Sequence, residues 1–260
     1  MQFCIKLDPR DTVKPLTPSQ KTTGIDVGLK FFLVDSEGHQ IDCPNYYRKA
    51  EKQLNRLNRK KSKKYRKGKK QSRNYHKARQ RYARKHLRVS RQREEFVKSV
   101  ALRLVKSNDL IAYENLNIKG MVNASASLGV DPERSRRVKN RHLAKSITDA
   151  GWSVFRQWLE YFGDKYGKLT IAVSPHNTSQ NCSNCGQKVQ KSLSTRTHVC
   201  PHCGYTDCRD RNAALNILQK GLSSVGRTQT LNASGEIPSW LVGEILLANG
   251  DSMNEESPSL

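Results

Sequence analysis

Along residues 22 to 42, "TTGIDVGLKFFLVDSEGHQID", apolar and polar positions alternate on either side of "SEGH", and this period of two predicts a β-hairpin. Ahead of it "FCIKL" predicts a short strand followed by a Pro-containing connector. The period then changes. Tyr75, Ala78, Tyr82, Val89, Phe96, Val100 and Leu104 recur at threes, fours and sevens, and Leu54 and Leu57 mark a shorter helix before the break "KKYRKGKKQS". An antiparallel helical hairpin with a narrow apolar seam is predicted over 46–106. "DLIAYENL" and "KLTIAVSP" read as strands, with the polar loop "MVNASASLGVDPERS" between them. That loop is followed by "RHLAKSITDAGWSVFRQWLEYFGDKYG", one long helix whose face carries Leu143, Ile147, Ala150, Val154, Trp158 and Phe162. Trp152 and Trp158 fit core packing better than nucleobase stacking. A last helix is expected from about Arg211 to Gln219, and from Leu222 onward a Ser-, Gly- and Asn-rich, increasingly acidic stretch reads as a disordered tail. Strands with long helices inserted between them define an α/β class.

Composition narrows the partners. The chain has 260 residues, 35% of them hydrophobic, and a mean hydropathy of −0.76, which suits a soluble protein with one sizeable core or two modest ones. No segment reads as a membrane span, and "MQFCIKLDPRD" has no signal-peptide pattern, so a cytoplasmic location is expected. The net charge is +24, and its placement matters more than its size. Between Arg48 and Arg93 there are 22 Lys and Arg against one acid, Glu51, a local excess of 21. So dense a block repels itself and calls for a polyanion. Its centre, Arg56, Arg59, Lys60, Lys61, Lys63, Lys64, Arg66, Lys67, Lys69, Lys70 and Arg73, supplies the candidate phosphate contacts.

Two kinds of site chemistry follow. Of the seven cysteines, Cys182, Cys185, Cys200 and Cys203 form C-x2-C-x14-C-x2-C, each pair running into glycine. Paired turns presenting four thiolates suit one tetrahedral zinc, in a closed and therefore structural site. His198 and His202 fit the turns less well as ligands. Asp26 lies in "GIDVG", where the strand period puts Gly24, Asp26 and Gly28 on one face and leaves room around the acid. Glu114 closes the strand "LIAYENL", at the carboxyl end where open α/β sheets place ligands. Asp210 opens the last helix, where it serves either as a cap or as a metal ligand.

Taken together, "GIDVGLK", "YENLNIKGM", "SQNCSNCG" and "CRDRNAALNIL" resemble, in order and spacing over about residues 22 to 220, the TnpB family of insertion-sequence OrfB proteins related to type V CRISPR nucleases. The resemblance implies an RNase H-like (RuvC) core with an inserted basic helical hairpin and a zinc ribbon. The implied division is a remnant of a wedge-type strand over 1–21 and a core over 22–180 with the basic insertion at 46–106. A ribbon follows over 181–206, the rest of the core over 207–221 and a tail over 222–260. Asp26, Glu114 and Asp210 become a catalytic triad holding two Mg²⁺, Asp26 bridging them, in a transposon-associated RNA-guided DNA endonuclease. Its implied partners are a guide RNA and target DNA, and its setting the prokaryotic nucleoid. The chain departs from the family pattern in carrying Cys208 two residues before Asp210, where an acid is common, and in showing only 1–21 ahead of "GIDVG", where a wedge and a recognition domain are expected. Two other readings compete: a non-catalytic RNA- or DNA-binding remnant, and a DNA-joining transposase.

Overall fold

The structure, a computed structural model, describes residues 16, 18–123, 125–127, 137–139, 141–192 and 195–225, with the backbone alone at 125–127 and 137–139. The strand expected at "FCIKL" and all of the tail beyond residue 225 lie outside the described residues. In chain order the elements are β1 (Thr22–Val27), β2 (Phe31–Asp35), β3 (Gln40–Asp42), α1 (Tyr46–Ser62), α2 (Arg73–Ser107), β4 (Leu110–Glu114), α3 (Ile118–Asn123), β5 (Ser125–Ser127) and β6 (Arg137–Lys139). They continue with α4 (Arg141–Ala150), α5 (Trp152–Tyr166), β7 (Leu169–Val173), β8 (Thr197–Val199), β9 (Thr206–Cys208) and α6 (Arg209–Ser224). This is a mixed α/β fold in two compact units, one made of 1–42, 100–116 and 156–260, the other of 43–99 and 117–155.

The first unit is built on a five-stranded sheet in the order β3-β2-β1-β4-β7. β1, β2 and β3 form an antiparallel meander, while β1–β4 and β4–β7 run parallel. The hairpin expected over 22–42 is therefore three strands. Its extra turn lies at Gly28–Lys30, where Gly28 N–H donates to Phe32 O at 3.2 Å, and a period-of-two pattern does not resolve so tight a reversal. α6 covers one face of the sheet, packing Ile217, Leu218 and Leu222 on Leu110, Ala112 and Val173. On the other face Tyr113 reaches Glu160 of α5, its hydroxyl donating to Oε1 at 2.5 Å. Cover on both faces explains why "LIAY" is a continuous buried run.

The helix packing needs very close approach. A Cβ on Gly24 would lie 2.1 Å from the Ala214 carbonyl oxygen and 2.6 Å from Leu218 N, and one on Gly221 would lie 2.6 Å from Ala112 Cβ. Helix α6 therefore rests directly on β1 and β4. It also extends two residues beyond the start and several beyond the end expected for it, because Leu222 still has core to cover.

The second unit contains the basic hairpin. Ala50 and Leu54 of α1 pack with Val89 of α2, flanked by Tyr46, Tyr47 and Tyr82. Tyr46 meets Phe96 near one end and Tyr65 meets Tyr75 near the other, so the two segments run antiparallel. Every residue of the expected α2 seam within this unit is buried or half-buried. α1 starts after Asn45 at φ 52° with no side-chain cap of its own. Buried Asp149 caps it from α4 instead, accepting from Tyr47 N at 2.9 Å and Arg48 N at 3.1 Å, an anion placed at a helix N-terminus.

The single long helix expected from 141 is two, α4 and α5. Gly151 separates them at φ +74°, a left-handed conformation that glycine adopts without strain. Just beyond the break the buried positions are Phe155 and Leu159 in place of the expected Val154 and Trp158. Ala144, Ile147 and Ala150 are followed by Trp152, Phe155, Leu159 and Phe162, while Leu143 and Val154 are exposed. Trp152 is buried and Trp158 stacks on Phe162 at 5.4 Å, consistent with core packing. The predicted polar loop after residue 121 contains β5, which pairs antiparallel with β6.

Candidate functional site

The carboxylate centre follows from strand register. Ile25 stands opposite Tyr113 in the parallel β1–β4 pair, so Asp26 and Glu114 come next on neighbouring strands at their carboxyl ends. Alternation places both on the face of Gly24 and Ala112, the face that α6 covers. Asp210 lies one helical turn before Ala214, the residue that touches Gly24, and so stands above the same strand ends.

Electrostatics agree with that placement. Burial raises the Asp26 carboxyl well above its ordinary value, repulsion from Glu114 and Asp210 raises it further, and Arg209 opposes the rise. Burial also raises Glu114, against the Thr178 hydrogen bond and the Lys220 ammonium. Thr178 Oγ1 donates to Glu114 Oε1 at 2.5 Å. Asp210 Oδ1 accepts from Arg209 Nη2 at 3.1 Å and Nε at 3.2 Å, and its Oδ2 lies 3.6 Å from Arg196 Nη1. Asp210 does not cap α6: Cys208 occupies the cap position without a side-chain bond, and Asp210 lies inside the first turn. Its oxygens are therefore free of backbone duty. Three oxygen donors that repel one another around a half-buried point suit a hard divalent cation.

The four cysteines gather more tightly. Among the described residues they are the group of three or more metal-ligating side chains whose donor atoms all lie within 4.8 Å of one another; the three carboxylates are more widely spread. Cys182 Sγ lies 3.7 Å from Cys203 Sγ, and Cys185 Sγ 3.6 Å from Cys200 Sγ. Four sulfurs about 2.3 Å from one zinc stand about 3.8 Å apart along a tetrahedron's edges, so the donor set fits the ion. Both turns use the same bonds: Gly186 N–H to Cys182 O at 2.8 Å and Gly204 N–H to Cys200 O at 3.0 Å, each glycine at φ +74°. The N–H of Tyr205 and the Asn184 amide hold the Cys203 thiol below its ordinary value, whereas, against the Gln187 backbone bond, burial and the bonds with the other three cysteines push the Cys185 thiol up. His198 is fully buried against Lys191 and lies outside the ligand set.

Sequence reasoning missed the residues that join these two sites. Asn212 and Asn216, one turn apart and buried on α6, clamp the segment between β7 and the first cysteine turn. Asn216 Nδ2 donates to Thr178 O and Asn181 O, both at 2.8 Å; Asn212 Nδ2 donates to Asn181 O at 2.8 Å, and its Oδ1 accepts from Ser183 N at 2.9 Å. Their signal was the two asparagines four apart in "RNAALNIL", polar residues on an otherwise apolar face.

Of the candidate phosphate contacts, Arg56, Arg59, Lys60 and Lys61 lie on α1, Lys63, Lys64, Arg66, Lys67, Lys69 and Lys70 in the turn, and Arg73 at the start of α2. All are exposed except Lys61, which is half-buried and places its ammonium 4.5 Å from the centre of the Tyr82 ring. No helix among the described residues is long and apolar enough to cross a membrane.

Residues 2–125 match the OrfB_IS605 family, described as "Probable transposase", and residues 152–217 match the "Cas12f1-like, TNB domain". Two similar proteins carry the name "Putative RNA-guided DNA endonuclease". One, from Streptomyces pristinaespiralis, is 32% identical over 86% of this chain and 51% of its own length. The other, InsQ of Escherichia coli K12, is 33% identical over 80% and 50%. The TnpB-like protein L79 of Acanthamoeba polyphaga mimivirus is 31% identical over 82% of this chain and 40% of its own. The chain thus spans about half the length of the relatives it matches. Among solved structures, a Cas12f1–sgRNA–target DNA complex superposes with a TM-score of 0.50 at 20% identity, covering 79% of this chain and 51% of that one. A CRISPR-Cas12f ternary complex gives 0.51 at 21%, covering 79% and 40%. They share its mixed α/β fold. With both domain families in order along one sequence, and relatives named RNA-guided DNA endonuclease or TnpB-like at over 30% identity, the chain is similar to the TnpB family of insertion-sequence OrfB proteins.

Proposed function

We propose that the chain carries the RNase H-like, RuvC-type nuclease core of an RNA-guided DNA endonuclease, with Asp26, Glu114 and Asp210 as its catalytic carboxylates. The observation that carries this reading is the convergence of these three acids, from β1, β4 and α6, strongly enough that the other two raise Asp26. The sheet order β3-β2-β1-β4-β7, with three antiparallel strands followed by two parallel ones, supports the RNase H-like assignment. Asp26, Glu114 and Asp210 would together hold Mg²⁺ at the strand ends. The metal would supply activation of a water and stabilisation of the leaving 3′ oxygen in an in-line phosphodiester hydrolysis.

The chain's own residues do the positioning. Thr178 fixes the rotamer of Glu114, and Arg209 offsets the negative charge around Asp26 and Asp210. The cysteine cluster would hold one structural zinc. The exposed cations of the hairpin would bind guide RNA or heteroduplex through phosphates, giving affinity without sequence, and base pairing would choose the target.

The test is cleavage of DNA by the purified chain with its co-expressed RNA and Mg²⁺, comparing Asp26→Ala, Glu114→Ala and Asp210→Ala. Each should abolish cutting and leave RNA affinity nearly unchanged. Cutting that survives any one of them refutes the triad. RNA binding without cutting by the unaltered chain favours a binding module, and joined ends among the products favour a transposase.

A further inference from the structure

The turn between α1 and α2 holds a feature that phosphate binding does not require. Residues 63–70 contain six cations, and from residue 52 to residue 93 there is no acid. Such a loop should splay. It is instead pinned by one side chain: Gln71 Oε1 accepts from Arg66 N at 3.1 Å, and Nε2 donates to Arg66 O at 2.6 Å and Lys69 O at 2.9 Å. Ser72 Oγ accepts from Tyr75 N at 3.2 Å, and Gly68 takes φ +69° to close the turn.

In the middle of these charges stands Tyr65, 56% exposed. Its ring is buttressed on one side by Tyr75 at 5.9 Å, and Tyr75 in turn meets His76 edge-on at 5.7 Å. Water disfavours an exposed aromatic ring, and the lysines around it need no ring to hold phosphate. In a duplex every base is already stacked and offers no face to a side chain. A preorganised ring among cations serves a base that is unpaired.

We propose that the hairpin tip is a stacking site for an unpaired base of single-stranded nucleic acid, with Tyr65 as the platform and Lys63, Lys64, Arg66 and Lys67 holding the flanking phosphates. It rests on the proposed nucleic-acid role of the hairpin and adds the residue and the strand state that the tip selects. Tyr75 keeps the ring in place, and the Gln71 bonds keep the loop ordered before the strand arrives, which lowers the entropy lost on binding.

The test uses the full chain with short oligonucleotides, single-stranded RNA and single-stranded DNA in separate arms and the matching duplex as control, with 2-aminopurine as the reporter base. Tyr65→Ala should weaken single-strand binding about tenfold, within the range of one stacked base, and abolish quenching of the reporter. Duplex affinity and the salt slope should not move. Tyr65→Phe should keep both binding and quenching. Lys63→Gln with Lys64→Gln should weaken single strands and duplex alike and shallow the slope by about 0.7 per lost contact on single strands. The arm that shows the Tyr65 effect identifies the strand as RNA or DNA. An unchanged ratio of single-strand to duplex affinity in Tyr65→Ala, with the steep salt slope retained, overturns the stacking site and leaves the phosphate reading standing. An unaltered chain that binds none of the oligonucleotides overturns both.

Discussion

Thr178 donates its hydroxyl to Glu114 Oε1 at 2.5 Å, and the same threonine's carbonyl oxygen accepts from Asn216 of α6 at 2.8 Å. One residue of the segment leading to the cysteine cluster thus ties the end of β4 to the helix that carries Asp210. Thr178 is 2% exposed, so its hydroxyl has no water to replace Glu114 as partner.

Thr178→Val keeps the shape and removes the bond. Under the proposed assignment Glu114 then loses its fixed rotamer, and partners that orient metal-binding carboxylates are worth about 10- to 100-fold in metal affinity or activity. Mn²⁺ binding followed by electron paramagnetic resonance should weaken by that order, together with the cleavage rate. Thr178→Ser should restore both. Valine binding Mn²⁺ and cutting as threonine does would show that the hydroxyl only satisfies the Pro175 carbonyl it also contacts.

Gly24→Ala should damage the site through the backbone. The new methyl would sit 2.1 Å from the Ala214 carbonyl oxygen and 2.6 Å from Leu218 N, atoms that cannot rotate away. Helix α6 must lift from β1, carrying Asp210 with it. Overpacking of this kind costs about 1–3 kcal/mol, to be read as a lower urea midpoint, and cleavage should fall further than stability does. A fully stable and active Gly24→Ala would mean that α6 does not rest on β1 as described.

The buried Asp109–Lys168 pair makes the first unit acid-labile. Both side chains are 1% exposed, and Asp109 also accepts from Ser19 N at 3.0 Å and Gln20 N at 2.7 Å. Burial would raise its carboxyl, but Lys168 and the two backbone N–H groups outweigh that and hold it below its ordinary value. A depressed folded-state pKa contributes stability that is fully present above the unfolded value of about 3.9 and is lost as pH falls through the folded one. Unfolding monitored by circular dichroism should therefore set in below about pH 4. Lys168→Met leaves a buried, unpaired acid. It should cost about 3–5 kcal/mol at neutral pH and flatten the loss of stability on acidification, because without the ammonium the folded-state carboxyl is no longer held as far below its unfolded value.

What could be read before the structure was set by periodicity and spacing. β1, β4 and β7 were legible because strand alternation or a short apolar run between polar flanks marks them, and the α2 seam because its period persists over many turns. The cysteine turns were legible because Cys-x-x-Cys fixes its own local geometry. The α4–α5 break was not, because Gly151 sits in an otherwise unbroken helical pattern and its left-handed φ is a property of the fold. Thr178, Asn212 and Asn216 were not, because their partners are backbone oxygens and a carboxylate up to 64 residues away. Asp210 was ambiguous between cap and ligand, and the start of α6 at Arg209 removes the cap reading.

Zinc removal should be felt at the carboxylates. The cysteine turns hold Asn181 and Ser183, which Asn212 bonds, and Asn181 shares Asn216 with Thr178. Structural zinc supplies folding free energy to a cluster too small to hold itself together. Elemental analysis of metal-replete protein should find one zinc per chain, and Cys200→Ser, at a buried position of the cluster, should lose it. Amide exchange should rise over 181–206 first and over 174–180 with it, while β1 and β4 stay protected because their pairing does not involve the turns. Cleavage should fall as Thr178 loses its anchor, and Mn²⁺ binding should weaken in the same proportion as in Thr178→Val. Loss of zinc with unchanged exchange at 174–180 and unchanged Mn²⁺ affinity would mean that the asparagine clamp holds Thr178 without help from the cysteine turns. Metal-replete protein without zinc would end the assignment of the cysteine site.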